Sequence, residues 1–330
     1  MTVAAGAVYT CLAMRRVWVA IIGVGLVGCF PDYELEADAQ PYMARMRSNG
    51  RTVEFDLATD VGNRRSAVSF SYDFDIDQNE VTVQRFNTWW NGDRALPSDL
   101  ASLDDGGVYE DPMRWRANWN TAAVTEAFVW ANPDVDTELT CTGPSNTPFG
   151  QAPWTTWMMD KNGVADAGDF PMTCVTWMQA AAFCASEGKR LPTAAEWTFA
   201  RTQGGDAPAF PWGNQLPTQC VDAIVNADGN ACDFPTAVST TARDRTKAGV
   251  DDLVGSVFEW LWEASWPDAV DETDWVGAKD NLDSPDREHL RAGGAFISEP
   301  TEPRVSGVVE KFGANQQYYD AGFRCARSVK

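Results

Sequence analysis

Histidine and basic side chains are scarce in this 330-residue chain. It contains one histidine, and its 26 Lys and Arg residues stand against 47 Asp and Glu residues, which gives a formal net charge of −21. A metal centre held by several histidines is therefore excluded. No basic cluster interrupts the acidity, so phosphate backbones and anionic membrane surfaces would be repelled. We expect no nucleic-acid partner.

Long apolar runs are also scarce. The clearest, residues 17–27, is shorter than the roughly 20 residues that a transmembrane helix needs. Arg15 and Arg16 precede this run, which is typical of a secretory signal peptide that starts at Met14. The following letters LVGC resemble the lipobox of bacterial lipoproteins. We predict a signal peptide over residues 1–28 and a lipid on Cys29; the alternative is an ordinary signal peptide with an unrelated cysteine.

The signal peptide and the lipobox together predict that the protein lies in the bacterial cell envelope and faces the periplasm or the exterior. Membrane contact is expected through the lipid anchor alone. Residues 30–50 are polar and aperiodic, which predicts a flexible tether. The domain is expected to start near Arg51 and to run to residue 330.

The cysteines that remain after removal of the signal peptide and lipidation of Cys29 are even in number, which outside the cytoplasm favours disulfides over free thiols. No CxxC pair supports a zinc or redox site. Six cysteines allow 15 connectivities. They are Cys141, Cys174, Cys184, Cys220, Cys232 and Cys325.

The body of the chain predicts an α+β, loop-rich domain. Alternation in TVEFDL and VSFSYDFDID predicts strands, and EVTVQRFNTWWNG predicts a short helix that presents Val83, Phe86 and Trp90 inward. Residues 92–120 and 131–170 have no sustained period and are rich in Asp, Asn, Gly, Pro and Trp, which indicates long structured loops.

A tight pair of helices is predicted within residues 174–205. Thr176 is placed to cap the first helix and Gly188 to end it. Thr193 and Glu196 form a capping box for the second, which stops near Gly204. Farther on, DDLVGSVFEW predicts a loop that becomes a strand, and RAGGAFIS and AGFRCAR predict strands separated by a loop over residues 299–320.

In their order and spacing, CVTWMQAAAFCASEGKRLPTAAEW, FPWGN, DLVGSVFEW, RAGGAFIS and GFRCAR resemble the formylglycine-generating enzyme family, also called sulfatase-modifying factor domains. EVTVQRF resembles the family's opening, so the resemblance runs from about residue 52 to the end. It implies a single large domain with a variant of the C-type lectin fold and little regular secondary structure.

The resemblance also implies a disulfide between Cys184 and Cys325. Cys220 and Cys232 flank a turn and could pair, which would leave Cys141 for Cys174. The family's structural calcium ion implies a site at Asp252 and Glu259, through their side-chain oxygens, with backbone carbonyls from Gly255 and Val257. The alternative is that Glu259 forms a salt bridge and that the segment is a turn into a core strand.

The family reaction uses copper(I), held by two cysteines that follow a GGS motif, to convert a cysteine of an unfolded sulfatase segment into formylglycine. Alignment on Gly293 and Gly294 places Ser298 and Pro303 at the two cysteine positions, and Ala295 at the serine. A hydroxyl and a proline do not hold copper(I), which prefers thiolates. We therefore expect no copper and no formylglycine generation by the known mechanism.

Two hypotheses remain for the function. The first is a non-catalytic binding module for a peptide or a glycan, in which a lectin-like scaffold presents aromatic side chains from its loop-rich part. The second is an oxidoreductase of the same family with an altered mechanism that does not need the copper cysteines. The candidate tryptophans for the first are Trp89, Trp90, Trp115, Trp119, Trp154 and Trp157.

Overall fold

Helices and strands are short throughout the part of the chain that the computed structural model describes. The described residues are 42–57, 64–91, 156, 167–204, 209–226, 234–241, 243–263, 271–274, 288–300, 308–313 and 316–329. They belong to one unit that spans residues 39–330. The predicted signal peptide, Cys29 and most of the predicted tether lie outside the described residues.

The described helices are α1 (Val83–Asn91), α2 (Trp177–Ser186) and α3 (Ala194–Thr202), with a 3₁₀ turn at Ala167–Asp169. None of them has the length and apolar content that crossing a membrane would require. The described strands are β1 (Met43–Met46), β2 (Thr52–Leu57), β3 (Arg64–Ser69), β4 (Asp73–Asp77), β5 (Phe258–Trp260), β6 (Asp271–Thr273), β7 (Glu288–Ala292), β8 (Val308–Gly313), β9 (Ala321–Gly322) and β10 (Ala326–Val329). The mixture of short elements and long connections is the predicted loop-rich α+β class.

The first sheet joins the two ends of the domain. Its order is β1-β4-β10, and β4 pairs antiparallel with both neighbours, so that Ile76 lies opposite Ala44 and Ala326. Strand β1 lies within residues 30–50, which the sequence assigned to the tether. The folded domain therefore begins before Arg51, because β1 hydrogen-bonds to the central strand of this sheet.

The central strand β4 separates apolar from acidic side chains by simple alternation. Phe74 and Ile76 are fully buried in the core. Asp75 on the opposite face is also buried, and it accepts hydrogen bonds from Arg45 and, at 2.7 Å, from Arg327. Since a buried carboxylate without a partner is costly, these cross-strand arginines make the sequence DFDID compatible with a central strand.

The next aspartate of this row, Asp77, connects β4 to both neighbouring helices. Its carboxylate accepts from Lys189 at 3.0 Å and from Arg85 of α1 at 2.8 Å. Arg85 and Lys189 also contact Glu187, which follows α2. The four charges form one network, so α1 and the end of α2 are held against the same edge of the sheet.

Of the other two sheets, the four-stranded one positions the candidate site. One has the order β2-β3-β6, with β6 parallel to β3. The other has the order β8-β7-β5-β9, in which β5 pairs antiparallel with β7 and parallel with β9. Strand β8 lies within residues 299–320, which the sequence predicted as a loop. The β5–β7 pair brings DLVGSVFEW beside RAGGAFIS.

The helix pair agrees with its predicted caps. Thr176 and Gln179 form a reciprocal capping box on α2, and Thr193 and Glu196 form another on α3. Gly188 has φ +71°, which is the left-handed conformation expected after a helix. Residues 177–185 are all buried, however, and not only one face. Helix α2 is thus enclosed by other elements on every side, and its alanines permit that close packing.

A disulfide joins Cys184 of α2 to Cys325, between β9 and β10, as the family resemblance implies. It links the helix pair to the terminal segment. Cys174 and Cys220 are each disulfide-bonded as well. Cys141 and Cys232, the partners expected for them, lie outside the described residues.

Glu263 caps the first turn of α3 from a distant part of the chain. Both of its carboxylate oxygens accept from the backbone N–H of Ala194, at 3.0 and 2.9 Å, and the side chain is fully buried. Burial raises the pKa of Glu263 to about 8, which outweighs the opposing effect of the Ala194 N–H. The folded protein therefore binds a proton that the unfolded chain releases near pH 4.3.

Replacing Glu263 with Gln should flatten the dependence of stability on pH between about pH 4.5 and 8. A raised carboxyl pKa contributes stability that is fully present below the unfolded pKa and is lost as the pH rises through the folded pKa. At pH 8 we expect Glu263→Gln to be roughly 2–4 kcal/mol more stable than the wild type, and near pH 4 about equal to it. Urea denaturation across this range measures the difference. Glu187→Gln is the matched control, because the pKa of Glu187 is lowered instead of raised. Parallel curves of unfolding free energy against pH for the wild type and Glu263→Gln would contradict the raised pKa of Glu263.

Candidate functional site

The segment RAGGAFIS leaves β7 at Ala292 and turns sharply. Gly293 and Gly294 have φ values of +94° and +74°, in the region that favours glycine. A Cβ on Gly293 would lie 3.3 Å from the Trp197 ring. The segment named here the glycine loop, residues 293–298, therefore needs glycine at its start both for its backbone and for its packing.

Ser298 closes the glycine loop on itself. Its backbone N–H donates to the carbonyl of Ala295 at 2.8 Å, and its hydroxyl accepts from the N–H of Ala295 at 3.1 Å. Both residues are buried, whereas Ile297 between them is 37% exposed. Pro303 lies outside the described residues. At the first position where the family reaction needs a thiolate, this chain has a hydroxyl group that hydrogen-bonds within the turn.

The single histidine is buried in the core. The His289 ring stacks on Trp177 with 3.8 Å between the ring centres, and its Nδ1 lies 3.1 Å from the carbonyl oxygen of Trp262. Trp177 in turn donates its indole N–H to the carbonyl of Leu261 at 2.7 Å. These contacts give His289 a packing role within β7.

Of the candidate tryptophans, Trp90 is also buried and stacks against Phe86, while residues 115, 119, 154 and 157 lie outside the described residues.

The segment named here the cation loop, residues 252–257, lies beside the glycine loop and is conformationally strained. Asp252 and Ser256 have φ values of +57° and +56°, a conformation that costs a residue with a side chain about 1–2 kcal/mol. Gly255 also has positive φ, and a Cβ there would lie 2.3 Å from the carbonyl oxygen of Ile224. Strain of this kind persists only where surrounding contacts hold it.

The predicted ligand Asp252 is held by the segment that precedes the loop. Its carboxylate accepts from the Ser239 N–H at 2.6 Å and lies 3.5 Å from the Thr241 hydroxyl. Its own N–H donates to the Asp244 carbonyl. Burial raises the pKa of Asp252 to about 6, against the effect of the Ser239 N–H.

The predicted ligand Glu259 forms a buried ion pair, the alternative that the sequence left open. Its Oε2 accepts from Arg324 Nε at 2.6 Å and from the Trp197 indole at 3.1 Å, and its Oε1 accepts from Arg324 Nη2 at 2.7 Å. Both partners are fully buried. Since a carboxylate oxygen can accept more than one bond, this pairing leaves Oε1 with capacity for a further contact.

The same guanidinium organises the surrounding backbone. Arg324 Nη1 donates to the carbonyls of Asp77 and Gln78 at 3.1 and 3.2 Å, and Nη2 donates to those of Asp251 and Asp252 at 2.9 and 3.1 Å. One side chain from the terminal segment thus joins the end of β4 to the start of the cation loop.

A further acidic residue, Glu80, was not assigned a role from the sequence. It is 1% exposed, and neither carboxylate oxygen has a hydrogen-bond partner within normal geometry. Burial raises the pKa of Glu80 well above its usual value, and the charges of Asp252 and Glu259 raise it further, while Arg324 and a contact with the Ser256 side chain, outside normal hydrogen-bond geometry, oppose the shift. The sequence feature that could have indicated a role for Glu80 is EVTVQRF, where this acid directly precedes an inward-facing apolar pattern.

The donor chemistry of this cluster suits calcium. Glu80 and Asp252 are carboxylates in mutual electrostatic contact, and the two oxygens of Glu80 are buried without a partner. Among the described residues, no three His, Cys, Asp or Glu side chains form a metal cage by themselves. A cation here must therefore also use backbone oxygens, which are ordinary calcium ligands. Gly255 and Val257 are the residues predicted to offer them.

Three features define the class of this protein. They are the loop-rich α+β fold, the glycine loop beside the cation loop, and the disulfide from the first helix of the pair to the terminal segment. Together they indicate the formylglycine-generating class. The comparison with known families is decisive: residues 40–329 match the sulfatase-modifying factor enzyme 1-like domain. The chain belongs to this family.

Curated relatives carry both inactive and active names. The chain is 34% identical over 130 residues to the inactive C-alpha-formylglycine-generating enzyme 2 of Bos taurus, covering 38% of this chain and 42% of the relative. It is 36% identical over 215 residues to the formylglycine-generating enzyme of the same organism, covering 62% and 50%. It is 30% identical over 165 residues to the hercynine oxygenase of Mycolicibacterium smegmatis, covering 48% and 32%. The chain thus spans half or less of the length of these relatives.

Two solved structures share the fold. Treponema denticola variable protein 1 and PvdO from Pseudomonas aeruginosa each match with a TM-score of 0.51 and 16% identity over 87% of this chain. The matches cover 95% and 94% of those chains. At this identity the likeness concerns the fold alone.

Replacing Arg324 with Lys tests whether the guanidinium geometry, rather than its charge, holds the cluster. Lysine keeps the charge but cannot reproduce the five-donor fork. We expect a loss of about 3–5 kcal/mol in the free energy of unfolding, as for a broken buried pair. Arg327→Lys is the matched control, because its side chain is 28% exposed and pairs with Asp75, so its loss should stay below about 1 kcal/mol. Equal losses for the two variants in guanidinium denaturation would refute the distinction.

Proposed function

We propose that this protein is a non-catalytic, calcium-stabilised ligand-binding domain of the formylglycine-generating family, held at the bacterial cell envelope by a lipid on Cys29. The observation that carries the non-catalytic part is the Ser298 hydroxyl, which accepts from the Ala295 N–H. A buried hydroxyl committed to its own turn offers neither a copper ligand nor an activated nucleophile.

The names of some curated relatives also support a non-catalytic function. Curated members similar to this chain include proteins from Bos taurus and Mus musculus that are named inactive. The relatives named hercynine oxygenase raise the alternative of an altered oxidoreductase. His289 is the single histidine available to such a mechanism, and its ring is stacked against Trp177 in the core. The binding module is therefore the better-supported function.

The glycine loop is the proposed ligand surface, and a peptide is the favoured ligand class. The family reaction takes an unfolded peptide at this loop, and the backbone turn presents to solvent Ile297, the residue before the first cysteine position. An extended peptide needs backbone partners and a small apolar contact, both of which a turn with an exposed isoleucine can offer. A glycan is the other ligand class that the same surface could take.

The calcium ion would be held by Asp252 and Glu80 with the carbonyls of Gly255 and Val257, and Glu259 beside them. When bound, it would supply a fixed divalent charge that balances carboxylates buried against one another. The support is the pair of unpartnered Glu80 oxygens, which a hydrogen-bonded network would otherwise satisfy. No chemical step passes through this ion, and its role is to stabilise the cation loop.

Calcium should raise the melting temperature of the purified protein. Binding to the folded state alone contributes about 2.7 kcal/mol at a hundredfold excess over the Kd. Thermal melts in calcium chloride and in EDTA measure this, and Glu80→Gln should lose most of the shift, because it removes one anionic ligand. Glu272→Gln is the control, since Glu272 is an exposed acid on β6. A calcium shift that is absent, or that survives in Glu80→Gln, would contradict the proposed ligand set.

Terbium gives a second readout of the same site. Trp197 donates to Glu259 at 3.1 Å, so a lanthanide held in the cluster should show luminescence excited through the indole. Calcium should compete this signal away. Luminescence that persists in the Glu80→Gln variant would place the ion elsewhere.

The purified protein should contain no stoichiometric copper or iron and should consume no oxygen with a cysteine-containing peptide. Copper is not expected because Ser298 and Pro303 stand at the two thiolate positions, and iron is not expected because the chain has a single histidine. Elemental analysis and an oxygen electrode test both statements. Retention of a peptide library in pull-down, with glycan arrays in parallel, then separates the two ligand classes. Oxygen uptake dependent on the peptide would favour the altered oxidoreductase instead.

A further inference from the structure

The cation loop and the glycine loop are joined by direct backbone hydrogen bonds. The N–H of Gly255 donates to the carbonyl of Gly293 at 2.7 Å, and the N–H of Phe296 donates to the carbonyl of Ser256 at 2.8 Å. The bonds run in both directions, from each loop to the other. Because they involve backbone atoms, they fix the relative position of the two loops without side-chain contacts.

A third segment, residues 224–226, completes this arrangement. The N–H of Ser256 donates to the carbonyl of Ile224 at 2.9 Å, and the N–H of Asn226 donates to the carbonyl of Ser298 at 3.0 Å. The contact with Ile224 is so close that a Cβ on Gly255 would reach within 2.3 Å of its carbonyl oxygen. The packing leaves no room for the cation loop to shift without displacing its neighbours.

The cation loop is held away from its relaxed conformation at two residues that carry a side chain, Asp252 and Ser256. Positive φ values occur at Asp252, Gly255 and Ser256 in the cation loop and at Gly293 and Gly294 in the glycine loop. At one end the cation loop is fixed by Arg324, which binds the carbonyl of Asp252. Its central part is fixed by the shared hydrogen bonds, and the buried carboxyl groups of Asp252 and Glu80 interact electrostatically beside it.

We infer that cation occupancy of the cation loop orders the glycine loop, so that ligand binding at the glycine loop depends on the divalent ion. This inference rests on the proposed calcium site and ligand surface. A bound cation bridges Asp252 and Glu80 in their carboxylate form and holds the strained backbone, and the hydrogen bonds through Gly255 and Ser256 carry that order to Gly293 and Phe296. Loss of the ion releases both loops together.

Hydrogen exchange of the full-length protein, followed by mass spectrometry in calcium chloride and in EDTA, tests the coupling directly without a known ligand. Peptides that cover residues 293–298 and 224–226 should exchange at least tenfold faster in EDTA. Peptides from β2 and β3 should be unchanged, because those strands belong to a separate sheet. In Glu80→Gln the glycine loop should exchange rapidly with and without calcium, whereas Glu272→Gln should behave as the wild type.

The outcomes separate this inference from the calcium proposal. If calcium raises the melting temperature but leaves exchange of the glycine loop unchanged, the coupling is refuted while the cation site stands. If exchange rises equally in β2 and β3, the effect is global and the coupling is again refuted. If calcium changes neither melting nor exchange, both the cation site and the coupling are overturned.

Discussion

The buried pair of Arg324 and Glu259 is the interaction on which the rest of this structure depends. It joins the terminal segment to β5, and the same guanidinium binds carbonyls at the end of β4 and at the start of the cation loop. A fully buried guanidinium is tolerated only when its donors are satisfied, and these acceptors come from segments far apart in the chain. The first sheet, the cation loop and the site are therefore assembled around one side chain.

The scaffold around the first thiolate position, Ser298, is formed without a thiolate. The glycine turn persists, and the serine that stands at the first cysteine position closes it with a hydrogen bond. The neighbouring charged cluster has kept its carboxylates, and the packing of Trp177 against His289 fills the adjacent core. The proposed function, a peptide-binding domain that lacks the groups needed for the family reaction, follows from that combination.

Local signals predicted the elements that make their own hydrogen bonds. The cap at Thr176, the capping box at Thr193 and the inward face of α1 were readable because they involve residues three or four positions apart. Strands β1 and β8 escaped prediction, since short strands with no clear alternation exist only through their partners. Of the candidate site, Asp252 and Glu259 were found from the family motif, but Glu80 was not. Its importance comes from burial beside charges that are remote in sequence.

By itself, the sequence determined the family, the helix pair, the missing thiolate at Ser298 and the scarcity of histidine, because these are matters of residue identity and short-range spacing. Only the tertiary structure decided that Glu259 pairs with Arg324, that the oxygens of Glu80 are left without partners, and that the cation loop and the glycine loop share backbone hydrogen bonds. The physical reason is that burial and electrostatic coupling depend on distances between segments that no local pattern encodes. A carboxylate that looks like a solvated charge in the sequence becomes a buried group with a raised pKa once the fold removes its water.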